Sequence, residues 1–145
     1  MAVVRRTTVV ELAPHAAFDL WADTSRWPTF VDGFARVVQL EPAWPEPGSK
    51  IVWESTPAGR GRVTERVVRL ADDEFATEVF EERLHGTQTL LFDVGEVVMQ
   101  LEYELATGGP LRKLTDLFFI RRALTDMLAR TLRRFATEAA EQGSL

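Results

Sequence analysis

The chain of 145 residues contains no cysteine. That excludes a disulfide framework, a thiolate nucleophile and a cysteine-built zinc site. Histidine is nearly absent too: His15 and His85 stand far apart with no HxH or HxxE spacing, so no metal site is expected. Long hydrophobic runs are missing. The most apolar cluster, Leu117 to Ile120, is flanked by charge and falls well short of the roughly 18 residues a membrane helix requires. Cations are in deficit, 17 against 22 acidic residues, and a net charge of -5 speaks against nucleic acid as a partner. The same charge gives no general attraction to an anionic lipid surface, so no membrane insertion is expected. No glycine-rich phosphate loop is present, because "GRGR" at 59–62 lacks a strand-to-helix setting, and no Ser-His-Asp pattern occurs. No cofactor is expected. The opening "MAVVRRTTVVEL" lacks the apolar core and small-residue cleavage site of a signal peptide, which makes the cytoplasm the expected location.

What is there reads as an ordinary globular domain, with 46% hydrophobic and 27% charged residues, and one domain over 1–145 is expected. Residues 3–12 are rich in β-branched side chains and predict a strand. Pro14 then opens a segment in which Ala17, Phe18, Trp21 and Ala22 recur at helical spacing, and a second short helical piece is expected over 28–33. A strand in "ARVVQLEP" and a proline-rich turn at 42–49 follow. Five further strands are predicted near 50–56, 61–71, 75–83, 86–94 and 96–106, divided by turn chemistry such as "PAGRG" and "DVGE". Gly108, Gly109 and Pro110 close the strand region, and residues 111–142 then run without glycine or proline. Leu114, Leu117, Phe118, Leu124, Leu128, Leu132 and Phe135 trace an apolar face on one long helix. This order predicts an α+β domain in which a seven-stranded antiparallel sheet curves around the last helix and leaves a cavity between them.

Three stretches carry a family resemblance: "AFDLWADTSRWPTFVDGFARVV", "PEPGSKIVWES" and "GPLRKLTDLFFIRRALTDMLARTLRRF". Their order and spacing, spread over essentially the whole chain, resemble the START-like or Bet v 1-like superfamily, in particular its polyketide cyclase/dehydrase branch. The resemblance implies a helix-grip fold around an internal cavity, and ligands that are mainly hydrophobic small molecules such as polyketides and lipids. It does not imply one reaction, because fold and function separate readily.

The cavity residues must therefore supply the chemistry. On the last strand Val97, Met99, Leu101, Tyr103 and Leu105 share one face, which should point inward. Tyr103, the chain's one tyrosine, is a candidate catalytic residue because a phenol can orient a carbonyl or donate a proton; the alternative is a core tyrosine. Glu65 alternates with Val63 and Val67, so it is either an inward carboxylate with a raised pKa, a second catalytic candidate, or a solvated partner of an arginine. Of the neighbours Trp53 and Glu54 only one can face in. In "GTQTLLFD" the bulkier set Gln88, Leu90 and Phe92 is preferred over Thr87, Thr89 and Leu91 as the inner face. On the long helix Arg112, Arg121, Arg122, Arg130, Arg133 and Arg134 mostly pair with helix acids such as Asp126, while Arg121, between Phe118 and Leu124, can reach the cavity end.

The corner "SRWPTFVDGF" at 25–34 places Trp27 as core and Phe30, Val31 and Phe34 at the cavity entrance, with Gly33 as a hinge. The expected ligand-binding set is thus Phe30, Val31, Phe34, Trp53, Gln88, Leu90, Phe92, Met99, Leu101, Phe118, Arg121 and Leu124. The leading expectation is a protein that binds a hydrophobic or polyketide-like molecule. Its rivals are an aromatase/cyclase using Tyr103 and Glu65, and an interaction module with no ligand. An exposed strand edge or the Phe118–Phe119 pair offers a surface for a homodimer.

Overall fold

Alternation of apolar and polar residues decides the sheet. The computed structural model describes residues 1–106 and 114–143; Gly108, Gly109, Pro110 and Arg112 lie outside the described residues. Seven strands run β1 (Ala2–Val9), β2 (Phe34–Leu40), β3 (Lys50–Ser55), β4 (Arg62–Leu70), β5 (Glu74–Phe80), β6 (Leu84–Asp93) and β7 (Glu96–Leu105). All pair antiparallel in the order β1-β7-β6-β5-β4-β3-β2, so every neighbour but one is a hairpin. The exception is β1, which closes onto β7 at the far edge.

Between β1 and β2 lie α1 (Pro14–Ala22), a single 3₁₀ turn (Thr24–Arg26) and α2 (Trp27–Phe30). Pro14 sits in the first turn of α1, where its missing N–H costs nothing. Asp23 caps the 3₁₀ turn by accepting from the backbone N–H of Ser25 at 3.1 Å. The long helix α3 (Leu114–Gly143) then packs against β1, β7 and α2. This is the helix-grip arrangement of seven strands and a long final helix that the residue pattern predicts.

The burial pattern shows which faces meet. On β4 Val63, Glu65 and Val67 are buried while Arg62 and Arg66 are exposed. Leu84, Gln88, Leu90 and Phe92 of β6 and Val97, Met99, Leu101 and Tyr103 of β7 are buried likewise. Opposite them α3 presents Leu124, Leu128, Leu132, Phe135 and Ala139, spaced three or four apart, with Met127 beside Leu128 on the same face.

The apolar face of α3 differs from the expected one at its start. Phe118 is 64% exposed and Phe119 68% exposed, and Leu117 is also more than one-third exposed. At 100° per residue Phe118 lies about 120° around the helix from Leu124, too far to share its contact with the sheet.

Gly86 lies opposite Tyr103 in the β6–β7 ladder. A Cβ there would fall 2.0 Å from the Glu102 carbonyl oxygen and 2.9 Å from the Tyr103 Cα. Both are backbone atoms, so no side chain can swing aside. Gly86→Ala is expected to destabilise the fold by about 1–3 kcal/mol, measured as a lower urea midpoint. An unchanged midpoint would mean that the two strands separate locally at no cost.

Candidate functional site

Glu65 is the unusual residue of the sheet. It is a carboxylate on the concave face, only 4% exposed, placed there by strict alternation with Val63 and Val67. Trp53 on the neighbouring strand donates its indole N–H to Glu65 Oε2 at 2.8 Å, and Thr77 on the other side donates its hydroxyl to Oε1 at 3.1 Å. Burial pushes the carboxyl pKa up, and this outweighs the Trp53 hydrogen bond, the Arg60 charge and the Thr77 hydrogen bond that act in the opposite direction. Arg60 comes from the β3–β4 connection. Its guanidinium centre sits 5.4 Å from the centroid of the Trp53 ring and its Nε donates to Glu81, whose side chain is 4% exposed.

Two spaces adjoin this group. The first is an enclosed inner chamber of only about 10 Å³, bordered among others by Trp21, Trp53, Arg60, Glu65, Gln88 and Met127. It is small because aromatic side chains fill the rest of the interior. Trp21 packs on Phe30 at 5.3 Å and on Phe135 at 5.5 Å, and Trp27 meets Trp53 at 6.3 Å. The second is an outer cleft of about 420 Å³ between α3 and the β3–β4 and β5–β6 connections. Its apolar wall is Leu84, Leu105, Ile120, Leu124 and Met127; Arg60, Glu81, Arg83 and Arg130 supply charge. Asp32, Arg60 and Met127 border both spaces and so form the partition between them. Among the described residues no cluster of three or more metal-ligating side chains occurs.

Residues 1–140 match the family model described as polyketide cyclase / dehydrase and lipid transport. The chain belongs to this polyketide cyclase/dehydrase family. Solved structures agree on the fold. The di-domain aromatase/cyclase StfQ of the steffimycin biosynthetic pathway superposes with a TM-score of 0.74 at 18% identity, covering 99% of this chain and 52% of its own. This polyketide cyclase/dehydrase chain thus spans about half the length of that protein. A Thermus thermophilus protein gives 0.76 at 15% identity, covering 97% and 99% of the two chains. The Zhui aromatase/cyclase of a Streptomyces species gives 0.74 at 14% identity, covering 97% and 94%. No curated protein matches the chain at a significant level.

In this polyketide cyclase/dehydrase domain the expected site residues fall into three groups. Val31, Trp53, Glu65, Gln88 and Met99 border the inner chamber, and Leu124 borders the outer cleft. Leu90, Phe92 and Leu101 face inward but line neither space, being packed in the filled core. Phe30 is also core rather than entrance: it is fully buried and meets Phe135 edge-on at 5.1 Å. Phe34 stacks on Trp53 at 5.5 Å. Phe118 and Arg121 are exposed on α3. Glu54 turns outward to Arg36 and Arg62, which settles the choice between it and Trp53.

Tyr103 is buried, and burial raises its pKa while the Arg121 charge opposes the rise. It is not brought to Glu65. The ladder runs Glu65–Val79–Gly86–Tyr103 across one row, so the two share a face but stand three strands apart, roughly 14 Å at about 4.8 Å per strand.

Several residues of the site escape any sequence pattern. Arg60 and Glu81 are in connections, where no period applies. Asp32 is visible only as a turn signal, yet it ties the 31–33 corner to α3. Arg130 grips its carboxylate through Nε at 3.0 Å and Nη2 at 3.1 Å, and Arg134 adds a bond at 3.0 Å. Its backbone N–H donates to Thr131 Oγ1 at 3.0 Å. Burial acts to raise the Asp32 pKa, but the bonds and charges of Arg130 and Arg134 prevail and hold it below the usual value. The expected pairing of Arg130 along the helix with Asp126 is thus replaced by a pairing across the fold, since Asp32 offers a two-pronged acceptor in a less exposed place.

Proposed function

We propose that the protein binds a hydrophobic, polyketide-like small molecule in the outer cleft. The observation that carries this reading is the cleft itself: about 420 Å³ with a continuous apolar wall along α3 and the ends of β6 and β7. That volume lies within the range of small-molecule sites, roughly 300–1,000 Å³. Membership of the polyketide cyclase/dehydrase family and the fold shared with two aromatase/cyclases support the ligand class. Ala123 lines the cleft from the exposed side of α3, so a larger side chain there fills the cleft without disturbing the core. Ala123→Trp is expected to weaken binding of 2-ethylnaphthalene about tenfold or more, a change of about 1.4 kcal/mol or more, measured by equilibrium dialysis. Equal affinity in the two proteins would remove the cleft as the binding place.

The meeting of Glu65, Gln88 and Arg60 in one enclosed chamber favours a second reading, an aromatase/cyclase acting on a poly-β-ketone. There Glu65 would move the protons of aldol closure, and Glu65→Gln would abolish cyclisation while leaving binding in place. Tyr103 lines neither the inner chamber nor the outer cleft, which favours Glu65 over it as the proton carrier in this reading.

A further inference from the structure

The chain's four tryptophans are not alike. Trp27 donates its indole N–H to the Trp21 carbonyl at 2.8 Å, Trp44 to the Ala22 carbonyl at 3.0 Å, and Trp53 to Glu65 at 2.8 Å. The Trp21 Nε1 is buried with no acceptor among the described residues, and Trp21 is one of the residues lining the inner chamber. Arg60 Nη2 is likewise buried without a partner among the described residues, and Arg60 lines the same chamber. Gln88, 4% exposed, also borders the chamber. A buried N–H without an acceptor is costly, and one such group in a domain would call for comment. Here two orphaned donors belong to side chains that line a single small space, and the Gln88 amide lines it beside them.

We propose that the inner chamber seats one oxygen atom of the ligand, a ketone or enol oxygen, while the rest of the molecule lies in the outer cleft. This rests on the cleft reading above and adds to it the polar end of the ligand.

The hydrogen-bonding inventory selects the group. Indole and guanidinium are donors only, and the Gln88 amide contributes two further N–H bonds. Both Glu65 oxygens already accept from Trp53 and Thr77. Gln88 also brings one amide oxygen, but the N–H groups outnumber it, so the unmet demand of the chamber is for an acceptor. A cationic head is disfavoured by the guanidinium of Arg60, and a carboxylate or phosphate is too large for about 10 Å³.

The partition explains access. Arg60 and Met127 touch both spaces, and Met127 carries an unbranched, adaptable side chain that can yield to a narrow ketone oxygen. Once seated, the oxygen accepts from donors held by the Glu81 pair and the packed Trp21 ring, which is an arrangement suited to a carbonyl that gains negative charge.

The test uses two probes of one shape, 2-acetylnaphthalene with a ¹³C-labelled carbonyl and 2-ethylnaphthalene. The wild-type protein is expected to prefer the ketone about tenfold or more, and the infrared carbonyl band of the bound ketone is expected below its position in hexane. Gln88→Leu removes one donor set. It is expected to raise the band and to cut the preference to about threefold or less. Equal binding of both probes with the band at its hexane position overturns the oxygen seat and leaves the cleft reading intact. A lowered band that persists unchanged both in Gln88→Leu and in Trp21→Phe assigns the oxygen to donors outside the chamber and also overturns it. Binding of neither probe overturns the cleft reading, and this one with it. Should Gln88→Leu fail to fold, the band position and the probe preference of the wild type decide alone.

Discussion

Trp53→Ala is expected to cost about 3–5 kcal/mol of stability, enough to unfold a large share of the protein under mild denaturant. The ring is fully buried, stacks on Phe34 at 5.5 Å, meets Trp27 edge-on at 6.3 Å and carries the Arg60 guanidinium on its face. Truncation empties that volume between β2, β4 and the 21–30 corner, where the backbone cannot collapse to refill it. It also removes the donor to Glu65 Oε2, leaving that carboxyl less satisfied in a buried place. Trp53→Phe separates the two losses, because most of the volume stays. That variant is expected to cost about 1–3 kcal/mol, chiefly from the missing hydrogen bond. It should also lift the Glu65 pKa further, since the Trp53 bond is the foremost influence holding it down. Urea unfolding followed by circular dichroism measures both. A Trp53→Ala midpoint close to wild type would show that the aromatic stack at this corner is not a main support of the fold.

The second large effect is a pH dependence with a sign opposite to that of most carboxylates. Glu65 has a raised pKa in the folded state because burial disfavours its charge. Between the unfolded value, about 4.3, and the raised folded value, the native protein holds a proton that the unfolded chain has released. Stability therefore falls as pH rises through that window, with a limiting slope for one proton of about 1.4 kcal/mol per pH unit. Glu65→Gln carries no titrating proton. Its stability is expected to exceed that of the wild type at neutral pH, and the difference should shrink to a constant below about pH 4.

Asp32 works in the opposite direction. Its folded pKa is lowered, so its contribution is present above the unfolded value, about 3.9, and is lost as pH falls through the folded value. The acid limb of the profile should survive in Glu65→Gln for that reason. A wild-type minus variant difference that is flat from pH 4 to 8 would show that Glu65 titrates alike in the folded and unfolded protein.

The strands were legible because an antiparallel sheet with one covered face writes itself as alternation. Alternation put Glu65 in phase with Val63 and Val67 but left it either inward or solvated, and bulk favoured Gln88, Leu90 and Phe92 as an inner set; Glu65 and Gln88 are both inward. The long helix was legible by its period, but its buried strip was misread at Phe118, where an apolar residue stands outside the phase of Leu124 and Leu128. Hydrophobicity without phase does not report burial. At the 25–34 corner the aromatics were visible and their partners were not. Phe30 reaches Phe135 and Asp32 reaches Arg130 and Arg134, contacts that span about a hundred residues of chain.

By itself, then, the sequence determined the elements and their order, because the periods of strand and helix are local properties of neighbouring residues. It also determined the family, through three stretches spaced along the chain. Only the tertiary structure decided where space remains. The volume left between sheet and helix depends on how Trp21, Trp27, Trp53 and Phe135 fit together, and packing of that kind has no period to read. The same holds for the polar chamber. Arg60 and Glu81 come from connections, Trp21 from a helix, and Glu65 and Gln88 from two strands, so their meeting exists only once the sheet has curved around α3.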